Sequence, residues 1–180
     1  MTDNRPMTRA DLHIEPMTAA DWPAVHRIYS EGIATGDATL EREAPDWDHF
    51  DRSHRRNCRF VARRERGGEV LGWVALTAYS ARRVYRGVAW ESVYVAADAR
   101  GQGVGRALLE VLIPASETVG FWTLLAGIMK ENRASLALHR RCGFRRVGML
   151  RAMGRDRAER WRDVVVMERR SEVVGGAATG

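Results

Sequence analysis

A glycine-rich stretch near the middle of the chain has the composition of an anion-binding loop. It reads Arg100-Gly101-Gln102-Gly103-Val104-Gly105-Arg106 and lies between a β-rich segment and an apolar one. Because glycine lacks a Cβ atom, the backbone can curl until successive N–H groups converge. A helix that follows adds unpaired N–H donors and the positive end of its dipole. The stretch therefore predicts a site for a diphosphate group.

The spacing of the glycines excludes two common diphosphate sites. A dinucleotide fingerprint needs a glycine where this chain has Arg106, and a Walker A loop needs a lysine, whereas Lys130 is the only lysine and lies elsewhere. The pattern that remains is Arg-x-x-Gly-x-Gly. A glycine-rich turn without a ligand also remains open.

Length and composition favour one domain. The chain has 180 residues, of which 45% are hydrophobic, enough for a single continuous core. No apolar run is long enough to span a membrane, and the N-terminus lacks the apolar core of a secretory signal, so we expect a cytoplasmic location. Cys58 and Cys142 are isolated, and we expect packing thiols.

The net charge of the chain is +6, with 23 acidic residues interspersed among the basic ones. Because the basic residues form no stripe with interleaved aromatic residues, we expect no nucleic-acid partner. The positive field still favours a ligand that carries several phosphates.

Hydrophobic periodicity predicts alternating strands and helices, with one domain over residues 11–170 and a disordered tail over 171–180. The predicted strands are Leu12–Ile14, Cys58–Arg63, Val70–Ala78, Val88–Val95, Phe121–Met129, Phe144–Leu150 and Trp161–Glu168. The predicted helices run from Thr18 to about Gly32, around Trp47–Arg56, from Gly105 to about Ile113, and over Asn132–Arg141. We expect Pro114 to kink or end its helix, which would leave 115–119 as a turn or loop.

A second motif follows the predicted strand Phe121–Met129. Asn132 opens a helical segment that carries His139 and stops at Gly143-Phe144. Together with the glycine loop, this order of motifs resembles the coenzyme A-binding region of the GNAT N-acetyltransferases. Taken alone, Asn132 could be an ordinary helix N-cap and His139 a surface helix residue.

The GNAT resemblance implies a fold and a co-substrate. The fold is α/β, with a mixed central sheet that is antiparallel in its N-terminal half, has a parallel, splayed pair of strands at the cofactor site, and is flanked by helices. The co-substrate is acetyl-CoA, with no metal ion, and its pantetheine arm would pair with the open strand edges. The implied binding residues are Val93, Tyr94, Val95, Gly101, Gln102, Gly103, Val104, Gly105, Arg106 and Asn132.

Further segments resemble phosphinothricin N-acetyltransferases and their methionine sulfoximine-acetylating relatives. These segments include Ile28–Ile33, Thr39–Glu41, Arg82–Arg86, Ser92–Val95, and Gly154 through Arg160–Asp163. The resemblance implies acetylation of the α-amino group of a small amino-acid analogue, in a homodimer. It also implies that Arg83, Val84 and Tyr85 line the acceptor site. Whether they line the site of their own chain or that of the other chain in the dimer is left open.

The chain departs from this family at two positions. The usual glutamate lies three residues before Val-Tyr-Val, where this chain has Trp90, and the glutamate of this chain comes one residue later, as Glu91. A one-residue slip turns a side chain to the opposite face of a sheet unless a bulge resets the register, and GNAT sheets commonly bulge here. The second departure is Leu40, where the family often has phenylalanine.

The catalytic residues expected from the resemblance are Glu91 and His139. We expect Glu91, directly or through water, to take the proton of the amine, and His139 to protonate the departing thiolate. Backbone N–H groups near Val93 would polarise the thioester carbonyl. Two alternatives share the cofactor residues: a GNAT enzyme that acts on a protein N-terminus or an antibiotic amine, and a non-catalytic acyl-CoA-binding domain.

Overall fold

The computed structural model of the protein describes residues 12–176. Its strands are β1 (His13–Pro16), β2 (His54–Arg63), β3 (Val70–Ala78), β4 (Val88–Val95), β5 (Thr123–Met129), β6 (Arg145–Arg155) and β7 (Trp161–Arg170). Its α-helices are α1 (Trp22–Thr35), α2 (Trp47–Ser53), α3 (Val104–Thr118) and α4 (Arg133–Arg141). The predicted domain start at residue 11 and the tail residues 177–180 lie outside the described range.

The strands form one seven-stranded sheet in the order β1-β2-β3-β4-β5-β7-β6. Neighbouring strands are antiparallel, except for the parallel pair β4 and β5. That pair is joined through α3, as a parallel connection requires. The predicted mixed sheet with an antiparallel N-terminal half is confirmed.

The parallel pair separates soon after it forms. β4 and β5 are in register only from Val88↔Thr123 to Trp90↔Leu125. Beyond this point β4 stays paired with β3 as far as Val95, and β5 stays paired with β7 as far as Met129. A cleft therefore opens between the two strands toward their carboxyl ends, which confirms the predicted splay.

Helices α1 and α3 cover opposite faces of the sheet. The Tyr94 ring lies against Gly32 of α1, whereas Val95 lies against Gly105 of α3. Successive side chains of a strand point to opposite faces. Glu91 therefore shares the α3 face with Val95, and Trp90 shares the α1 face with Tyr94.

The predicted break in the third helix at Pro114 is wrong. Helix α3 continues through Pro114 to Thr118, and the segment expected to be a turn or loop is its last turn. Proline removes one helical N–H donor, but Leu112, Ile113 and Ser116 are buried on either side of it. Ser116 Oγ also donates to the Ile113 carbonyl at 2.7 Å. Packing of one continuous helix face outweighs the missing bond.

Several other boundaries differ from expectation, among them the start of β2 at His54 rather than Cys58. Helix α2 ends at Ser53 rather than Arg56, and β6 extends beyond Leu150 to Arg155. The added part of β6 contains an irregularity between Leu150 and Gly154. Within it, Ala152 has a φ of 48°, and its N–H donates to Asp163 Oδ1 at 2.9 Å. Residues 171–176 contain no helix or strand.

Among the described residues, no helix is both long and apolar enough to cross a bilayer.

Gly72 allows α3 to lie directly on β3. A Cβ atom at this position would approach the Tyr94 carbonyl oxygen to 2.7 Å and Leu108 Cδ1 to 3.2 Å. We expect Gly72→Ala to reduce the free energy of unfolding by about 1–3 kcal/mol, because overpacking against backbone forces the strand to shift. Urea denaturation measures the change. The control is Gly148→Ala on β6, where no atom lies within 4 Å of the new methyl group. Equal losses in both variants would contradict the prediction.

Candidate active site

A cavity of about 1280 Å³ occupies the cleft between β4 and β5. Its walls come from the α1–α2 loop, both splayed strands, the glycine loop, α4 and β6. All but one of the residues predicted to hold acetyl-CoA line it: Val93, Tyr94, Val95, Gly101, Gly103, Val104, Gly105, Arg106 and Asn132. Gln102 is the exception. Its Nε2 donates to the Asp98 carbonyl at 2.7 Å, a bond within the same loop.

The glycine loop has the backbone conformation that the sequence predicts. Gly101 and Gly103 have φ values of 75° and 84°, a left-handed region that glycine enters without strain. Gly103 caps α3, and the first helical bond runs from Ala107 N to the Gly103 carbonyl. The N–H groups ahead of Ala107 therefore have no partner within the helix, an arrangement that suits an anion.

The edge of β4 offers free backbone groups to the cavity. Two hydrogen bonds show which backbone groups of β4 point toward β3: Tyr79 N donates to the Val88 carbonyl, and Ala96 N donates to the Leu71 carbonyl. Residues with even numbers in β4 therefore direct their N–H and C=O groups toward β3. By the alternation of a strand, the N–H of Val93 faces β5. No strand pairing reaches it there in the described part of the chain, because the register with β5 stops at Trp90.

Glu91 and His139 form a buried pair in the cavity wall. His139 Nε2 lies 2.6 Å from Glu91 Oε1, and both side chains are 2% exposed. His139 Nδ1 lies 2.7 Å from the Ser135 carbonyl oxygen. Since a carbonyl can only accept, Nδ1 must carry a hydrogen and Nε2 shares its proton with Glu91. His139 is thus a buried side chain and not a surface helix residue.

The charge of Glu91 controls the protonation of His139. Burial by itself would lower the pKa of His139, but the nearby Glu91 carboxylate, through its charge and its hydrogen bond, raises this pKa above its ordinary value. Glu91 Oε2 is buried and has no hydrogen-bond partner among the described residues. A buried acceptor without a donor is costly, so this oxygen is suited to a donor on a bound molecule.

No bulge resets the register around Glu91. β4 pairs with β3 without interruption from Ala89 to Val95, so the bulge considered for this strand is absent on that side. Glu91 therefore points toward α4, while Trp90 lies on the opposite face and lines the cavity there. The glutamate of this chain reaches His139 because it is displaced by one position.

Asn132 is the N-cap of α4 and also lines the cavity. Its Oδ1 accepts from Ser135 N at 3.0 Å, and its Nδ2 donates to the Asp37 carbonyl at 3.1 Å. The N-cap interpretation is therefore confirmed. The second bond connects α4 to the loop that follows α1.

Arg83, Val84 and Tyr85 lie outside the cavity of a single chain. They form an exposed helical turn between β3 and β4, whereas the glycine loop follows the other end of β4. Arg82 lies 5.6 Å from the centre of the Tyr85 ring. Within one chain, the structure does not bring this segment to Glu91 and His139.

On the α1 side of the cavity, Tyr94 was expected from the sequence, whereas Tyr29 was not. Tyr29 and Tyr94 have ring centres 4.7 Å apart, and burial raises the pKa of both, so their hydroxyls stay neutral. Thr39, Leu40 and Glu41 complete this side. These residues lie in segments that carried the family resemblance, which was the available signal. Leu150 and Met153 of β6 also line the cavity, and nothing in the local sequence indicated it.

Both cysteines are buried free thiols, as expected for packing residues. Burial raises the pKa of Cys58 to about 11. Over residues 12–176, no group of three or more His, Cys, Asp or Glu side chains is arranged to hold a metal ion.

Comparison with known proteins places these features in a family. The sequence profile of the Acetyltransferase (GNAT) family matches residues 22–144. A phosphinothricin N-acetyltransferase from Alcaligenes faecalis is 40% identical over 157 residues, which cover 83% of this chain and 77% of that protein. An L-methionine sulfoximine/L-methionine sulfone acetyltransferase from Pseudomonas paraeruginosa is 31% identical over 153 residues, covering 83% of this chain and 88% of that protein. The crystal structure of a phosphinothricin acetyltransferase from Sinorhizobium meliloti in complex with AcCoA matches with a TM-score of 0.82 at 30% identity, covering 94% of this chain and 92% of that one.

Removal of the Glu91 charge should reverse the pKa shift of His139. In Glu91→Gln only burial acts strongly on the imidazole, so we expect its pKa to fall below the ordinary 6.5. NMR titration of the ring signals measures it, with His54 as internal control, because burial keeps the pKa of His54 at about 4.

The same shift has a consequence for stability. In the wild type, protonation of His139 adds to the free energy of unfolding. This contribution is complete at pH values below the unfolded-state pKa and is lost as pH rises through the raised folded-state pKa. In Glu91→Gln the sign should reverse, so that His139 favours folding less as pH falls. A His139 pKa that is equal in both proteins would refute the coupling.

Proposed function

Since the chain belongs to the acetyltransferase (GNAT) family, whose members take acetyl groups from acetyl-CoA, we propose that it acetylates the α-amino group of a small amino-acid analogue of the phosphinothricin or methionine sulfoximine type. The observation that carries the proposal is the buried Glu91–His139 pair at the point where β4 and β5 separate. The named acetyltransferase relatives support the acceptor class. We also propose that residues 11–170 form a single domain.

The cavity fits acetyl-CoA at both of its ends. The free N–H groups before Ala107, together with Arg100 and Arg106, suit the pyrophosphate. The open edge of β4 suits an extended pantetheine arm, and the Val93 N–H can donate to the thioester carbonyl oxygen. When bound, acetyl-CoA supplies an activated acetyl group and leaves a thiolate that needs a proton.

Glu91 and His139 act as one proton-transfer unit in this proposal. Both ring nitrogens of His139 are occupied, by Ser135 and by Glu91, so a proton enters or leaves the ring through Glu91. Glu91 Oε2 takes the proton of the amine, directly or through water, and the proton shared between Glu91 Oε1 and His139 Nε2 moves onto Nε2. The same oxygen returns a proton to the leaving sulfur, and the pair ends in its initial state. This refines the separate base and acid roles expected from the sequence.

A carboxylate or phosphinate on the acceptor is bound best by a cation, and over residues 12–176 no cation lines the side of the cavity formed by the α1–α2 loop. The arginines that line the cavity belong to the glycine loop, α3 and α4: Arg100, Arg106, Arg133 and Arg141. The opposite side contributes Asp37 and Glu41. We propose that Arg83, Val84 and Tyr85 from a second copy complete this side in a homodimer.

Exposed apolar side chains beside the cavity support an interface there. Val147 and Met153 of β6 are 52% and 58% exposed, and Trp161 of β7 is 60% exposed. Large exposed apolar side chains along an edge strand and its neighbour are typical of a protein contact surface. Met153 also lines the cavity, so a copy bound at this edge would lie near the acceptor.

Free-thiol release in the presence of acetyl-CoA tests the activity. We expect turnover with phosphinothricin, methionine sulfoximine or methionine sulfone, and none with polyamines or an N-terminal peptide. Glu91→Gln and His139→Phe should each lower kcat by about 10²–10⁴, because a positioned proton-transfer group contributes that much. Calorimetric affinity for coenzyme A should stay unchanged.

His49→Phe is the matched control, because His49 is exposed on α2 and away from the cavity. It should leave kcat unchanged. If His139→Phe were as active as this control, His139 would have no part in the reaction. Thiol release only with the peptide would assign the enzyme to protein N-termini, and binding without release would leave an acyl-CoA-binding domain.

The contribution of Arg83 across an interface is testable by subunit mixing. Arg83→Glu should raise the KM of the acceptor and leave the KM of acetyl-CoA unchanged, because only the acceptor carries the facing anion. In a mixed dimer, one chain carries Arg83→Glu and the other carries His139→Phe. One of its two sites then combines His139 of the first chain with Arg83 of the second, so both residues are wild type there. Random exchange should therefore restore about a quarter of wild-type activity at low acceptor concentration. Subunit exchange confirmed by mass spectrometry without recovered activity would place Arg83 outside the partner's site.

A further inference from the structure

The side chain of Arg162 joins three segments around the acceptor side of the cavity. It extends from β7 and is 8% exposed. Its Nη1 donates to the Gly36 carbonyl at 2.8 Å and to Asp156 Oδ2 at 3.3 Å. Its Nη2 donates to Asp37 Oδ1 at 2.6 Å and to Glu131 Oε2 at 3.1 Å. One guanidinium thus serves four oxygen atoms.

The segments held by Arg162 all border the proposed acceptor site. Gly36, with a φ of 72°, ends α1 and begins the acceptor loop, defined here as Gly36–Glu41. Glu131 directly precedes Asn132, whose side chain also bonds this loop at the Asp37 carbonyl. Asp156 begins the β6–β7 turn, close to Gly154, against which Leu40 packs. Arg162 is therefore the common partner of the acceptor loop, the start of α4 and the end of β6.

Only arginine can make this connection. Its planar group carries five N–H donors at fixed angles, whereas a lysine ammonium has three donors on a single nitrogen. The oxygen atoms around it include three carboxylates, which repel one another without a central cation. Loss of Arg162 would loosen the acceptor loop, because its carboxylate Asp37 would then face Glu131 without the cation between them.

We propose that Arg162 is a positioning residue that holds the acceptor loop in its binding conformation. Thr39, Leu40 and Glu41 line the cavity, and a loop that is ordered before the acceptor arrives spares the cost of ordering on binding. Arg162 touches neither the cavity nor the proton-transfer pair, so it acts through the loop. The effect on acceptor binding rests on the proposed function, whereas the effect on loop order does not.

Arg63 provides a matched control for Arg162. It lies on β2 and is 14% exposed. It likewise bonds two carboxylates and one carbonyl, those of Glu15, Asp21 and Gly68. None of these residues lines the cavity. Arg63→Met therefore removes a similar set of buried bonds, at a place that does not touch the acceptor loop.

The test compares Arg162→Met, Arg162→Lys and Arg63→Met. We expect Arg162→Met to raise the KM of the acceptor about tenfold or more, as loss of charge-assisted bonds implies, with coenzyme A affinity changed less than about threefold. Under native conditions, trypsin should cut Arg162→Met after Arg42, beside the acceptor loop, about tenfold faster than it cuts the wild type. Mass spectrometry quantifies the fragment. Arg162→Lys should restore little of either property.

Each outcome decides the proposal. Arg63→Met with the same rise in KM and the same rate of cleavage would overturn it, since Arg162 would then be only a stabilising residue. A loss of coenzyme A affinity as large as the change in KM would also overturn it. If Arg162→Met does not fold, Asp37→Asn serves in its place, because Asp37 is 50% exposed and the substitution removes the negative charge from the shortest bond. If the wild type acetylates no acceptor, the proposed function fails, and cleavage after Arg42 alone decides the role of Arg162.

Discussion

The separation of β4 from β5 after Trp90 and Leu125 is the feature on which the site depends. A sheet normally pairs its backbone groups along its whole length, and here several are left open at the centre of the molecule. The opening creates the cavity and leaves the Val93 N–H available. It also places two helix starts, the glycine loop after β4 and Asn132 after β5, on either side of one cleft. Each strand remains rigid because its outer neighbour stays paired, with β3 on one side and β7 on the other.

The Glu91–His139 pair shows how a one-residue change along a strand alters the chemistry of a site. A glutamate at the position of Trp90 would lie on the α1 face, whereas Glu91 lies on the α4 face and bonds His139 directly. Burial disfavours the imidazolium, and the adjacent carboxylate more than offsets that effect. The two groups consequently share a proton, and Glu91 Oε2 is the part of the pair without a partner in the described structure.

The two sides of the cavity differ in the origin of their rigidity. The cofactor side is built from a helix start and strand edges, whose backbone geometry follows from local sequence. The proposed acceptor side is a loop that depends on distant partners, with Arg162 on one side and Gly154 beneath Leu40. Differences in acceptor among related enzymes can therefore arise in this loop and its anchors without disturbance of the coenzyme site.

The sequence alone determined the features that depend on neighbouring residues. The glycines at 101, 103 and 105 require a curled backbone, and Asn132 favours a helix start, so both could be predicted together with the order of strands and helices. The tertiary structure decided the features that depend on distant residues. Packing on both sides of Pro114 continued α3, an unbroken β4 register brought Glu91 to His139, and chain geometry left Arg83 outside the cavity. Leu150 and Met153 line the cavity from β6, a strand at the edge of the sheet that is distant in sequence from β4. Such contacts join residues far apart in the chain, and no local pattern encodes their distances.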